Sequence, residues 1–421
     1  MSDLTKKQRA EYLQDRREWK EQFFSTPWYR KLFKKIEHLN KRLTLGLLGK
    51  LLHVRPHQDK FLLDELSSIL ILRTDAIGDM IATTPLWRIL KARKPELKIG
   101  VAGSFRNLEI LSNDPDIDFL YDFAVSDKKL KKAEFARARA EKYDLVIACK
   151  FDQKTRSAIL ARKASKLGYS ATIVPDNGEQ HHKIISHTVK LPDASAPMPM
   201  ILQLQYLLED VISLEIAPEE RAPSIIIDPL AFESVKKKVA AILDGAGCRR
   251  LVVINTESAT SFREWGYKNN YLLASELSAS FTDTFFFLTS SPLREGGLVK
   301  FLAAKTPHAK IGYFSTSTLH ELAALIRLSS LVVSPDTSVI HFASAEKKPT
   351  IGFYVQHNPW LPFGVPARVF IPSKEKPVES IPLNIVLPEA IDLLNNSNTA
   401  PKSVDIFWCE DPVRIERLGL D

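Results

Sequence analysis

From residue 28 to 52, Trp28, Leu32, Ile36, Leu39, Leu43, Leu47 and Leu51 recur at spacings of three and four, which aligns them along one face of a helix. Lys31, Lys34, Lys35, Lys41 and Arg42 fall mostly off that stripe, so the segment reads as a cationic amphipathic helix. Two destinations fit it: the headgroup layer of an anionic membrane, or the protein's own body or a second subunit.

Near residue 66 the period changes. Ser68 to Arg73 is a short apolar run that predicts a strand, followed by a loop and a helix from Met80 to Lys94 that Pro95 closes. Further strands are predicted at Ile99 to Ala102, Leu145 to Ala148 and Ile184 to Val189, with helices at Ser104 to Leu111 and Lys129 to Lys142. Ala217-Pro-Glu-Glu-Arg-Ala-Pro223 carries two prolines and no apolar periodicity, and marks a domain boundary. A second alternation follows, with strands at Leu251 to Ile254, Phe285 to Thr289, Ala309 to Tyr313, Leu331 to Ser334 and Thr350 to Tyr354. Strand–helix alternation of this kind predicts parallel sheets covered by helices. The expected organisation is a basic arm over 1–60, two similar doubly wound α/β domains over 61–220 and 221–390, and a tail over 391–421. Ligands of such sheets bind outside the carboxyl ends of the strands, so a cleft between the two domains is where chemistry is sought.

Composition narrows the class without changing that picture. The 421 residues are 45% hydrophobic and 26% charged, which excludes a disordered or low-complexity chain. No apolar run is long enough for a membrane-spanning helix and the first thirty residues are too charged for a signal peptide, so a cytoplasmic location is expected. Cys149, Cys248 and Cys409 lie too far apart for a CxxC metal site and read as free thiols. His181, His182 and His187 lack acidic partners at a ligating spacing, and no metal is expected. Residues 1–60 hold 15 of the 58 basic and 7 of the 50 acidic residues, an excess of eight that equals the net charge of the whole chain. The arm therefore suits an acidic partner, while the neutral body lacks the interleaved aromatic and basic motifs of a nucleic-acid binder.

Four loops carry candidate chemistry. Arg73-Thr-Asp-Ala-Ile-Gly-Asp79 joins the first strand to the first helix, and its single Gly78 is too few for a GxGxxG dinucleotide fingerprint. Asp79 is either a first-turn acid that stabilises its helix or a general base at the lip of the cleft; Arg73 and Asp75 are either a loop ion pair or a clamp for an anionic acceptor. In Leu331-Val-Val-Ser-Pro-Asp-Thr-Ser-Val-Ile-His341 a strand turns into a helix whose free N–H groups suit a phosphate, with Asp336 or Thr337 as alternative caps and His341 as a buried structural histidine or a site residue. Asn255 to Trp265 brings hydroxyls at Thr256 and Ser258 together with the cation of Arg263, a combination that suits a diphosphate. Thr289 to Glu295 places a carboxylate, Glu295, after a strand, for ribose hydroxyls or for solvent. Arg88, Lys91, Arg93 and Lys94 form a basic cluster that faces either acidic sugars or water.

The RTDAIGD loop with Thr83-Thr-Pro-Leu86 behind it, and VVSPDTSVIHFASA over 332–345, resemble the signature segments of the ADP-heptose:lipopolysaccharide heptosyltransferases, glycosyltransferase family 9. The resemblance spans roughly residues 68 to 390. It implies a GT-B architecture of two Rossmann-like domains facing across a cleft, with acceptor on the first and nucleotide sugar on the second. It also implies an inverting, metal-independent transfer of heptose from ADP-heptose to the lipopolysaccharide inner core. By the same resemblance Asp79 is the base, with Arg73, Asp75, Gly78 and Thr83 on the acceptor side. Thr256, Ser258, Arg263, Glu295, Asp336, Thr337, Ser338 and His341 then hold the nucleotide sugar, and the protein sits on the inner face of the cytoplasmic membrane.

The sequence departs from the family in two places. Ser334-Pro-Asp-Thr-Ser338 stands where Gly-Pro-Asp-Thr-Gly is usual, and Asn255-Thr-Glu where a His-Pro-Gly type loop is usual. The added side chains either crowd a diphosphate or, at Ser338, donate to it. Two rival readings remain from the sequence: a GT-B transferase using another nucleotide sugar, and a degenerate nucleotide-sugar-binding or membrane-scaffolding protein.

Overall fold

A computed structural model describes residues 43–51, 54, 59–151, 154–165, 169–174, 182–192, 197–396, 403–410 and 413–419. The first half runs β1 (Ser68–Leu72), α1 (Ile77–Arg93), β2 (Lys98–Gly103), α2 (Phe105–Leu108), β3 (Phe119–Asp122), α3 (Lys128–Ala140), β4 (Leu145–Ala148), α4 (Lys154–Ala164), β5 (Ser170–Ile173), β6 (His187–Val189) and α5 (Met200–Val211). Its strands form a parallel sheet in the order β3-β2-β1-β4-β5-β6. β1, Ser-Ile-Leu-Ile-Leu, is buried at every position, as a strand hydrogen-bonded on both sides and covered on both faces must be.

The second half runs α6 (Pro229–Gly245), β7 (Arg250–Asn255), α7 (Tyr267–Ser280), β8 (Thr284–Thr289), α8 (Glu295–Ala303), β9 (Ile311–Tyr313), α9 (Leu319–Leu328), β10 (Leu331–Pro335), α10 (Ser338–Ala345), β11 (Thr350–Phe353), β12 (Ala367–Pro372), α11 (Leu383–Asn395), β13 (Ser403–Cys409) and β14 (Arg414–Gly419). Its sheet has the order β14-β13-β12-β11-β10-β7-β8-β9 and is parallel except where β14 pairs antiparallel with β13. Two Rossmann-like halves are thus present. They meet where α10 packs across α1, and one apolar cluster runs continuously from β1 and α1 into α9 and α10.

Several expectations change. Beyond residue 390 the described residues do not form a tail outside the fold: β13 and β14 complete the second sheet, and α11 runs across residue 390. The charged residue Asp405 interrupts the apolar pattern of β13, but it is buried against Arg417 at 2.6 Å and Arg368 at 3.3 Å. Of the strand expected over Ile184 to Val189, only His187–Val189 forms; Ile184 and Ile185 pack on Leu45 and Ala158 instead. The short strands β3 and β5 and the proline-flanked β12 had no clear signal. The Ser104 to Leu111 helix is one α-turn, Phe105–Leu108, followed by a 3₁₀ turn, Glu109–Leu111.

The first helix begins at Ile77, three residues before the expected start, and continues through Pro85. Proline has no N–H to give the carbonyl four residues back, and the Thr84 hydroxyl donates to Ile81 O at 2.8 Å instead. Neither reading of the basic cluster on this helix holds. Arg88 pairs with Asp114 and Asp116, Lys91 with Asp118 at 3.0 Å and Arg93 with Glu220 at 2.8 Å, while Lys94 donates to the carbonyls of Leu63, Asp64 and Leu66. These contacts tie α1 to the segment before β1 and to the linker over 217–223.

Most of the predicted amphipathic arm, including Trp28 to Lys41, lies outside the described residues. Its end is helical over 43–51, with Leu45 buried while Leu43 and Leu47 remain 65% and 63% exposed. The body therefore covers a face other than the predicted stripe.

Candidate active site

The two signature loops leave the carboxyl ends of β1 and β10 and enter α1 and α10, so the crossing of these helices brings them together. Gly78 is what lets them approach. A Cβ there would run into the imidazole of His341 on α10, a contact that a side chain cannot share with a packed ring.

In the first loop Arg73 is buried, 1% exposed, and organises three groups at once. Its Nη2 donates to Asp79 Oδ1 at 2.9 Å, its Nε lies 3.0 Å from Asp75 Oδ1, and its Nη1 donates to the carbonyl of Cys149. Asp79 accepts a second bond from the Ala76 N–H at 3.1 Å, so it closes the first turn of α1 and also presents a carboxylate with 15% side-chain exposure. Both sequence readings of Asp79 are geometrically compatible. Arg73 has the loop ion pair and is too enclosed to clamp an acceptor directly. Burial pushes the Asp75 carboxyl up to about 6, opposed by Arg73 and reinforced by the neighbouring Asp79. Thr83 is fully buried, its hydroxyl donating to Asp79 O at 2.8 Å, so its role is inside the helix.

Asn107 was not anticipated. Its amide donates to the carbonyls of Arg73 and Asp75 at 3.0 and 3.2 Å, and this fixes the loop from α2. An asparagine four residues after a strand carries no sequence signal that would single it out.

In the second loop Thr337 caps α10, and its Oγ1 accepts from Val339 N at 3.3 Å. Asp336 lies 3.8 Å from Arg263 Nη1 and accepts from Asn358 Nδ2 at 3.1 Å. Burial raises the Asp336 carboxyl above its ordinary range, against the pull of Arg263. His341 is buried and its pKa falls to about 4 through desolvation, so the ring is neutral at pH 7.

Between the halves lies a cavity of about 340 Å³, within the range of small-molecule sites. Ile77 and Glu109 line it from the first half; Thr337, Ser338 and Val339 bring the start of α10 to it. Of the other nucleotide-side candidates, Ser258 lines the cavity and its buried Oγ has no partner there among the described residues. Thr256 is buried and donates to Thr289 O at 3.0 Å, while Glu295 accepts from Ser315 at 3.3 Å; neither lines the cavity, and nor do Arg263, Asp336 and His341.

The lining also contains residues that sequence reasoning did not select. Glu257 has Ser291 N and Oγ donating to its two oxygens at 2.6 and 2.9 Å, so its carboxylate is fixed at the wall. Asn255 donates to Ser334 Oγ and Thr337 Oγ1 at 3.0 and 3.2 Å, which locks the β7 loop to the β10 loop. Asn255 and Glu257 occupy the stretch where the sequence departs from the His-Pro-Gly type, and that departure was the available signal. No cluster of metal-ligating side chains occurs among the described residues.

Comparison with known proteins bears on this arrangement. Residues 133–373 match the model of glycosyltransferase family 9 (heptosyltransferase). The chain is 25% identical over 300 residues to lipopolysaccharide heptosyltransferase 3 of Escherichia coli, covering 68% of this chain and 83% of that protein. Among solved structures it resembles a glycosyltransferase family 9 protein of Veillonella parvula, with TM-score 0.67, 16% identity and coverage of 81% of this chain and 100% of the other. It also resembles the ADP-heptose lipopolysaccharide heptosyltransferase II of E. coli, with TM-score 0.61, 17% identity and coverage of 79% and 100%. The family match extends over more than half of the 421 residues and includes the whole β10–α10 segment. The chain therefore belongs to glycosyltransferase family 9, the heptosyltransferases, and is a sugar-transferring enzyme.

Proposed function

We propose that the enzyme transfers heptose from ADP-heptose to a hydroxyl of the lipopolysaccharide inner core, with inversion and without a metal. The observation that carries this reading is the crossing of α1 and α10, which sets Asp79, oriented by Arg73, near enough to Asp336 to influence its carboxyl, beside a cavity that the capped start of α10 lines. The acceptor oxygen forms a bond to the anomeric carbon as the bond from that carbon to the β-phosphate oxygen breaks. The electron pair leaves on ADP and the hydroxyl proton passes to Asp79. Backbone N–H groups at Thr337 and Ser338, with the Ser338 hydroxyl and Arg263, meet the charge developing on the β-phosphate. Asp336 pairs with Arg263 at 3.8 Å.

The acceptor side of this reading draws on the named E. coli relative, a lipopolysaccharide heptosyltransferase. The basic arm over 28–52 suits the anionic inner face of the cytoplasmic membrane, and no helix among the described residues is long and apolar enough to cross it. A second reading, another nucleotide-sugar donor, is favoured by Glu257. A fixed carboxylate in the cavity accepts from the ribose hydroxyls of any nucleotide and does not select the base.

Calorimetric titration with ADP, UDP and GDP, with and without EDTA, tests the donor. Selective ADP binding that survives EDTA is expected. Preference for UDP or GDP overturns the donor assignment, and absence of all binding favours a scaffold that has lost the activity.

A further inference from the structure

The loop from Tyr354 to Pro366, which follows β11, belongs to the second half but is anchored on the first. Met200 N, at the start of α5, donates to Pro359 O at 2.8 Å, and Trp360 and Phe363 pack with Ala82 of α1 and Ile201 and Leu202 of α5. The loop is held from its own side by Tyr354, whose hydroxyl donates to Trp360 O at 2.9 Å, and by the Phe363 N–H, which donates to Ser344 Oγ at 3.0 Å.

Two of its side chains reach the signature loops. Asn358 donates to Asp336, as described. Trp360 lies under the guanidinium of Arg73, with Cζ 5.4 Å from the ring centroid, and its edge meets His341 at a centroid distance of 5.9 Å and an interplanar angle of 90°. In its plane Arg73 hydrogen-bonds Asp79 and the carbonyl of Cys149 and pairs by charge with Asp75. Its flat face is then the surface left for a neighbour, and an indole is the side chain best suited to cover it.

We propose that Trp360 is a positioning residue for the transfer. Packed on Arg73 from the opposite half, it keeps that guanidinium in the orientation that holds Asp79. The carboxylate then reaches its working geometry only when the two halves are together. A misplacement of about 1 Å in a catalytic group is enough to cost on the order of 10²-fold in rate, so a residue that touches neither substrate can matter. The catalytic part of this proposal rests on the reading of Asp79 as base.

A double-variant cycle with Trp360→Ala and Arg73→Gln tests it at two levels. In urea unfolding Trp360→Ala should keep the cost of its packing on Phe363 and Ala82 in both backgrounds but lose less in the Arg73→Gln background than in the wild type; additive midpoints overturn the proposal whatever donor the enzyme uses. In transfer assays Trp360→Ala should lower kcat about tenfold with ADP affinity unchanged, Trp360→Phe should restore most of it, and the loss should vanish in the Arg73→Gln background. An equal fall in kcat in both backgrounds, or a loss confined to ADP affinity, also overturns it. A normal kcat in Asp79→Asn rejects the base itself and leaves the contact to be judged by the unfolding cycle.

Discussion

Asp79 and Asp336 occupy equivalent places, each in the loop that joins the carboxyl end of a central parallel strand to a helix, yet their surroundings differ. Asp79 is 2.9 Å from a buried arginine that has no other conformation available without losing its own partners. Asp336 is 3.8 Å from Arg263, a side chain that is 46% exposed, and burial dominates over that cation. Tight pairing to a fixed cation sets the direction in which a carboxylate points. Loose pairing to an exposed cation leaves the cation available to a ligand. On the proposed mechanism, the first environment suits proton acceptance and the second suits anion binding.

The largest effect that tests this division is at Asp79. Asp79→Asn keeps one oxygen, for either the Arg73 donor or the Ala76 N–H, and turns its NH2 to the other, so it should cost some stability while the fold is retained and ADP affinity stays near wild type. Loss of the base should lower kcat by about 10²- to 10⁴-fold. Single-turnover transfer with matched donor concentrations measures it, and a near-normal rate would place the base elsewhere.

A smaller effect is expected at Arg263. Arg263→Ala removes a charge-assisted contact to phosphate and leaves Asp336 without its cation, and ADP affinity should fall by about tenfold. Calorimetry in the same buffer decides between this and a purely structural pair, for which ADP affinity is unchanged.

The legibility of these two loops from sequence followed the same division. Strand, turn and helix start were readable around both, because β1 and β10 are apolar runs ended by polar residues and their helices are amphipathic or apolar from the first turn. Partners far along the chain were not readable: Asn107 and Trp360 for the first loop and Asn358 for the second, since neither composition nor period records a contact made between distant segments. The basic cluster on α1 failed for the same reason. Asp114, Asp116, Asp118 and Glu220 that neutralise it come from other segments. β13 was missed because a buried Asp405 satisfied by two arginines looks, in sequence, like a surface charge.

The smallest effect sharpens the comparison through pH. Asp75 sits beside Arg73, Asp79 and Lys150, and its carboxyl is raised from 3.8 to about 6, so the folded state binds its proton more readily than the unfolded chain. That contribution to stability is complete below 3.8 and is lost as pH rises through 6. His341, facing Asp79 and Arg73, is lowered from 6.5 to about 4; its contribution is present above 6.5 and is lost as pH falls through 4. Between pH 4 and 6 the two slopes oppose one another, one from each half of the molecule, and the wild-type unfolding midpoint should vary little from these two groups. Asp75→Asn removes one slope. The variant should gain on the wild type at pH 7, where the buried charge is relieved, and give back on the order of 1 kcal/mol of that gain by pH 4. Urea midpoints at pH 7, 6, 5 and 4 for both proteins test the opposition, and a gap between them that stays constant with pH would mean that Asp75 titrates like an ordinary surface carboxylate.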